Sequence, residues 1–189
     1  MSVDYIIEHA APTLAGLKTG NLFPCFFSDR ADLLQDLRTV NQILVPRGLR
    51  VLPLRLERGR ALLYLFRPAK LSQDLNRQEV RCLLNRAGYR DIGQRPCLRE
   101  LSQRLRARAE FPHEIGLFLG YPPEDVQGFM EHRGACCKCV GCWKVYGDEE
   151  AARRRFAAYK ACTDQYCRRR AGGATLERLT VPTPCPGGT

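Results

Sequence analysis

The chain has 189 residues, with 30 Lys and Arg against 20 Asp and Glu and a net charge of +10. Its 44% hydrophobic and 26% charged content is that of an ordinary globular protein, long enough to build a core without disulfide staples. No apolar run approaches the roughly 20 residues of a membrane helix, and Met1 to His9 lacks the basic and apolar regions of a secretory signal, so a cytoplasmic protein with no membrane partner is expected.

Ten cysteines are many for a reducing compartment, where they serve as thiols, metal ligands or core fillers sooner than as disulfides. The positive charge has two readings. Nucleic acid is the sharper one. The plainer one is compositional: Lys18, Lys70, Lys138, Lys144 and Lys160 are the only lysines, so 25 of the 30 basic residues are Arg. Those arginines are spread along the chain, as an Arg-rich coding sequence would leave them. The plainer reading is preferred.

Val3 to His9 is expected to form a short helix that Pro12 ends. Thr13 to Phe27 reads as extended chain with a turn at Thr19 to Asn21, and Lys18 as a surface side chain or, in the minority reading, a ligand contact. Ser28 or Asp29 caps a helix to about Leu44, with Leu33, Leu37, Val40 and Leu44 on one stripe. Leu49 to Leu56 and Ala61 to Phe66 flank a turn at Glu57 to Arg60 and predict an antiparallel hairpin. Pro68 to Arg86 is helical, with a break at Asn76, and Cys82 is expected to pack. Arg95 to about Ala109 is a further helix, with Leu98, Leu101 and Leu105 inward and Arg99, Arg104, Arg106 and Arg108 on a solvated face.

Ile115 to Leu119 reads as a short buried strand, and Pro123 opens a helix carrying Val126, Phe129 and Met130. Cys142 to Tyr146 reads as a last strand. Asp148 caps a long helix with Glu149 and Glu150 at its positive end and Arg168 to Arg170 at its negative end. Leu176, Leu179 and Val181 are expected to dock as a short strand. The whole predicts a single α+β domain over residues 1–181, a small, mostly antiparallel sheet packed by several helices, with a flexible tail at 182–189.

The stretch from Phe111 to Asp148 concentrates the candidate chemistry. Cys136, Cys139 and Cys142 follow a Cys-x2-Cys-x2-Cys spacing, with Cys162 and Cys167 on the next helix. Four thiolates suit Zn(II) or an iron–sulfur cluster. Against this, Cys162 and Cys167 lie about 140° apart round a helix, so both face one ion only if the helix breaks. A redox pair and plain thiols are the other readings. His113 and Glu114 are a candidate acid–base pair, although neighbours on a strand point to opposite faces. Lys144 and Tyr146 share a strand face that can hold an anion. The helix start after Tyr121 is a generic anion site whose positive end Glu124 and Asp125 already occupy.

The run Phe-Pro-His-Glu-Ile-Gly-Leu-Phe-Leu-Gly-Tyr-Pro-Pro-Glu-Asp-Val-Gln-Gly-Phe at 111–129, with Trp-Lys-Val-Tyr-Gly-Asp at 143–148, resembles a bacterial domain-of-unknown-function family found mainly in anaerobic Firmicutes. Ala11 to Lys18, Asn21 to Phe23 and Tyr159 to Cys162 carry the same resemblance. It implies a single-domain cytoplasmic protein and brings no activity or cofactor. It also implies an aromatic where Cys142 stands and a Cys at position 9 or 10. Cys136, Cys139 and Cys162 are then the better candidates for a shared role.

The function expected is a binding or accessory protein that holds a small anionic ligand or a thiolate-bound metal near residues 111–148. Tyr121, Lys144, Tyr146 and Lys18 are the candidate ligand contacts. An enzyme using His113 and Glu114, with Lys18 and Lys144 on substrate, is the alternative. Nucleic-acid binding through Arg-rich helix faces is the second alternative.

Overall fold

The computed structural model describes residues 2–107 and 111–183. They fall into two compact units, one made of the chain up to residue 69 together with the chain from 162 onward, the other of residues 70–161. The expected α+β class with a small antiparallel sheet is what the chain forms.

In the first unit, helix α1 (Val3–Leu14) leads to strand β1 (Gly20–Phe26), and helix α2 (Arg30–Leu44) leads to strands β2 (Arg50–Glu57) and β3 (Arg60–Phe66). The strands run antiparallel in the order β1-β3-β2. That order follows from where proline falls. β1 carries Pro24 and β2 carries Pro53, each lacking a ladder N–H, and both are edge strands; β3, which has none, takes the centre. Next to Pro53 the register slips, with a bulge at Leu54. The expected hairpin is therefore β2–β3, turned at Gly59 with φ 72°.

One face of this sheet carries the core. Ala61, Leu63 and Leu65 alternate along β3, and Ile6, Ile7, Ala10 and Leu14 of α1 and Leu33, Leu37 and Leu44 of α2 close over them. Asp29 caps α2 through the amide of Asp32 at 3.2 Å. Pro12 does not stop α1. It stands in the last turn, where its missing N–H forfeits one bond, and its own carbonyl accepts from Leu17 at 2.9 Å. The segment of Leu176, Leu179 and Val181, expected to dock as a short strand, instead holds a helical turn, α9 (Leu176–Leu179), capped by Thr175. Four residues between a cap and the next turn satisfy more backbone locally than a strand with no partner would.

Arg67 ties the unit together. It is 2% exposed, and its guanidinium donates to the carbonyls of Thr13 (2.7 Å), Leu14 (2.8 Å) and Val181 (2.7 Å) and to Thr183 Oγ1 (2.9 Å). Thr183 is held further by its amide on Arg47 O at 2.9 Å. The remainder of the expected tail lies outside the described residues.

The second unit is mostly helical. It comprises most of α3 (Pro68–Asn76), α4 (Gln78–Arg86), α5 (Gln94–Ala107), α6 (Ile115–Phe118), α7 (Pro123–His132), a hairpin of two-residue strands β4 (Cys139–Val140) and β5 (Lys144–Val145), and the first half of α8 (Glu149–Ala171). The break expected at Asn76 is present, with Arg77 extended at φ −65° and ψ 135°. The expected end of α5 at Ala109 lies outside the described residues.

Ile115 to Leu119 is the helical turn α6, not a strand; a short apolar run reads alike for a buried strand and a buried helix, and the bond from Tyr121 N to Gly116 O at 3.0 Å closes it as helix. Cys82 is exposed, because Val80, Leu83 and Leu84 take the buried stripe of α4. Arg104 is buried on α5, with a long-range partner that periodicity cannot reveal.

Replacing Arg67 by Ala takes the donor from the Val181 carbonyl and the second donor from the Thr13 and Leu14 carbonyls, which keep the amides of Gly16 and Val181; it is expected to destabilise the protein by about 3 kcal/mol, with Arg67→Lys costing less. Urea unfolding measures it; an unchanged midpoint for Arg67→Ala contradicts the role of this side chain.

Candidate functional site

The site is built on Asp125, the third residue of α7, 3% exposed. Its Oδ2 accepts from Trp143 Nε1 at 2.7 Å, and its Oδ1 accepts from the amides of Tyr146 and Gly147, each at 2.7 Å. Burying a carboxylate is costly unless donors replace water; here three N–H groups and the positive end of α7 do so. The effect is to pin the β4–β5 hairpin against α7. Trp143 then stacks on Tyr121 (4.6 Å, 29°) and meets Phe156 of α8 edge-on (4.5 Å, 78°). Two glycines make the fit possible: a Cβ at Gly128 would strike the Tyr146 ring, and one at Gly141 the Phe156 ring.

Between α6, α7 and the hairpin lies an open cavity of about 470 Å³. Its wall is largely apolar and aromatic: Phe111, Ile115, Tyr121, Val126, Phe129, Val140 and Trp143. The polar groups on it are His113, Asp125, Cys142 and Lys144. The His113 ring meets Phe129 edge-on at 4.9 Å. Lys144 Nζ donates to Gly134 O at 2.8 Å. The Tyr121 hydroxyl donates to Cys142 O at 3.2 Å, and burial, then the neighbouring Cys142, pushes its pKa up, so it stays a donor. This volume and this balance of apolar wall to few polar groups are those of a small-molecule site.

The expected site residues divide accordingly. His113, Tyr121, Lys144 and Cys142 come together on the cavity wall. Glu114 is adjacent in sequence but lies in the interior, where its Oε1 accepts from Arg104 Nη1 (3.0 Å) and Tyr89 OH (3.2 Å). The guanidinium also covers the Tyr89 ring at 4.2 Å and donates to Ala87 O at 2.6 Å. Burial, followed by the Glu114 charge, raises the Tyr89 pKa and keeps its hydroxyl protonated. Glu114 thereby anchors the turn that presents His113. Tyr146 does not line the cavity with Lys144; it packs beside His132 (5.7 Å, 20°), and its hydroxyl is buried with no hydrogen-bond partner among the described residues. Lys18 belongs to the first unit and is buried, 7% exposed, not a surface side chain.

Among the described residues no group of three or more His, Cys, Asp and Glu is placed to hold a metal ion. α8 runs unbroken from Glu149 to Ala171, so Cys162 and Cys167 keep their helical separation, and both pack on the core of the first unit. Cys136 and Cys142 are exposed, and Cys137 and Cys139 half-buried. Arg133 and Cys136 adopt left-handed backbone, φ 48° and 56°, turning the chain from α7 into this loop.

Sequence reasoning overlooked Asp125 as the organiser, the aromatic wall of Phe111, Phe129 and Trp143, and the Arg104–Glu114–Tyr89 group. The lone Trp was the available signal: a buried indole needs an acceptor, and Asp125 is the acidic residue that reaches it.

Asp125→Asn retains an oxygen for the two amides but cannot accept from the indole. It is expected to cost about 1–2 kcal/mol, and Asp125→Ala about 3 kcal/mol or more. Trp143 emission during urea unfolding reports both, and equal stability of the three proteins contradicts the assignment. The thiols give an independent check. Burial, then Asp91, pushes the Cys97 thiol up to about 11 from 9.0. Its neutral form is therefore favoured in the folded state. That contribution is intact below pH 9 and lost as pH rises from 9.0 to about 11. Iodoacetamide at mildly alkaline pH is expected to label Cys82, Cys136 and Cys142 and to spare Cys97 and Cys162. Peptide mass spectra showing all five labelled alike would disprove the packing.

Among the described residues no helix is long and apolar enough to cross a membrane. No curated protein and no solved structure matches the chain. A family model described as "Protein of unknown function (DUF3793)" matches residues 6–180, and the chain belongs to that family.

Proposed function

We propose that this is a cytoplasmic binding or accessory protein whose second unit holds a small anionic ligand in the cavity walled by α6, α7 and the β4–β5 hairpin. The observation that carries the reading is the cavity itself: about 470 Å³ of mostly aromatic surface with an ammonium, Lys144, and an imidazole, His113, on its wall. An ammonium has three protons, and the Gly134 carbonyl takes one. An anion meeting the others gains a charge-assisted bond in a largely apolar setting, where it is stronger than in water.

Binding is preferred to acid–base catalysis because the Glu114 carboxylate is engaged by Arg104 and Tyr89 and does not line the cavity. It is preferred to nucleic-acid binding because the arginines are spread along the chain and several already face carboxylates on the surface. Arg153 and Arg154 pair with Glu149 and Glu150 (2.6 and 2.7 Å), Arg170 with Asp4 (2.8 Å) and Arg47 with Glu177 (2.7 Å). Unpaired cysteines, several of them exposed, fit a reducing compartment.

The aryl sulfonate dye 1-anilinonaphthalene-8-sulfonate tests the reading, since its emission rises in apolar sites and Trp143 can transfer energy to it. One saturable site is expected, weakened about tenfold in Lys144→Met, the size of one charge-assisted hydrogen bond. Unsaturable binding, or equal affinity in a Lys144→Met protein with unchanged thermal unfolding, rules it out.

A further inference from the structure

The cavity wall narrows the class of ligand, an inference that rests on the reading above. Its side chains form two groupings. One surrounds Phe129, whose ring meets His113 at 4.9 Å and lies beside Gly134, the residue whose carbonyl holds Lys144 Nζ at 2.8 Å. An imidazole and an ammonium thus flank a single aromatic ring. The other is the Tyr121–Trp143 stack at 4.6 Å. Both polar atoms of that stack are already used, the indole N–H on Asp125 and the phenol on Cys142 O. The stack offers a ligand π surface and no polar group.

Charge sets a further limit. Among the described lining residues, Lys144 carries the permanent positive charge and Asp125 the carboxylate, so the permanent charges of the wall cancel. The Asp125 oxygens are turned to Trp143, Tyr146 and Gly147, but the charge remains. Such a wall suits a monoanion. A phosphate dianion calls for several cations or a cluster of backbone donors, and neither arginine nor a further lysine lines the cavity among the described residues.

We propose that the cavity takes a planar aromatic monocarboxylate of one or two fused rings, with the ring against Tyr121 and Trp143 and the carboxylate on Lys144 Nζ beside His113. The ring replaces water over an aromatic face, where offset or edge contacts favour arene over saturated ring. The carboxylate keeps the one cation of the wall from being buried by an apolar ligand without a partner.

Four probes of similar size separate the parts of this proposal: phenylacetate, cyclohexylacetate, 2-phenylacetamide and phenyl phosphate. Each is titrated into the full chain, with emission of Trp143, the sole tryptophan, and calorimetric heat as readouts. Phenylacetate is expected to bind one site, about fivefold tighter than cyclohexylacetate and about tenfold tighter than the amide. Lys144→Met is expected to bring phenylacetate down to the affinity of the amide, while Lys144→Arg, which retains the charge, recovers most of it. Equal binding of cyclohexylacetate overturns the aromatic assignment and leaves the anion reading standing. Tighter binding of phenyl phosphate overturns the monoanion assignment alone. An amide that binds as well as phenylacetate, or no saturable response to any probe, overturns the anion reading itself.

Discussion

The second unit of this protein depends on one buried carboxylate. Asp125 cannot be desolvated alone; it is stable inside because Trp143 Nε1 and two backbone amides replace its water. Satisfying it has consequences for everything near it. The hairpin of β4 and β5 has two residues per strand and would not persist in water by itself. Three hydrogen bonds to a residue on α7 hold it, and holding it places Trp143 on Tyr121 and Lys144 on the cavity wall. The cavity is therefore a by-product of how one charge is accommodated. It keeps its shape only while that accommodation persists.

Buried arginine performs a comparable task in both units. Arg67 donates to carbonyls where α1 ends and where the chain leaves α9. Arg104 meets a carboxylate, a carbonyl and an aromatic face together. A planar fork with five donors can do this and an ammonium cannot. The Arg-rich composition, which on its face points to a nucleic-acid partner, is thus in part a structural resource.

The cysteines illustrate why spacing is weaker evidence than it looks. Cys-x2-Cys supports a metal only if the chain closes a tight knuckle and a second pair converges on it. Here the loop from Cys136 to Cys142 is shaped by left-handed turns and by the demand that Trp143 reach Asp125. The later pair is fixed on a continuous helix, where five residues do not bring two side chains to one face.

The sequence by itself determined what local periodicity and punctuation can carry. It contained the helix Arg30–Leu44 with its Asp29 cap, the hairpin of β2 and β3 with its glycine turn, the break at Asn76, and the long helix opened by Asp148. It also singled out residues 111–148, where two of the three His, four of the ten Cys and the one Trp gather, and within them His113, Tyr121 and Lys144. It misread Ile115 to Leu119 because four buried apolar residues have no period to measure. Only the tertiary structure decided the partners. That Glu114 turns inward to Arg104 while His113 faces the cavity, that Asp125 answers the indole 18 positions on, and that Arg67 reaches Val181 are contacts between residues far apart in the chain. Such pairings follow from which polar groups are buried together once the elements pack, and no window of neighbouring residues contains them.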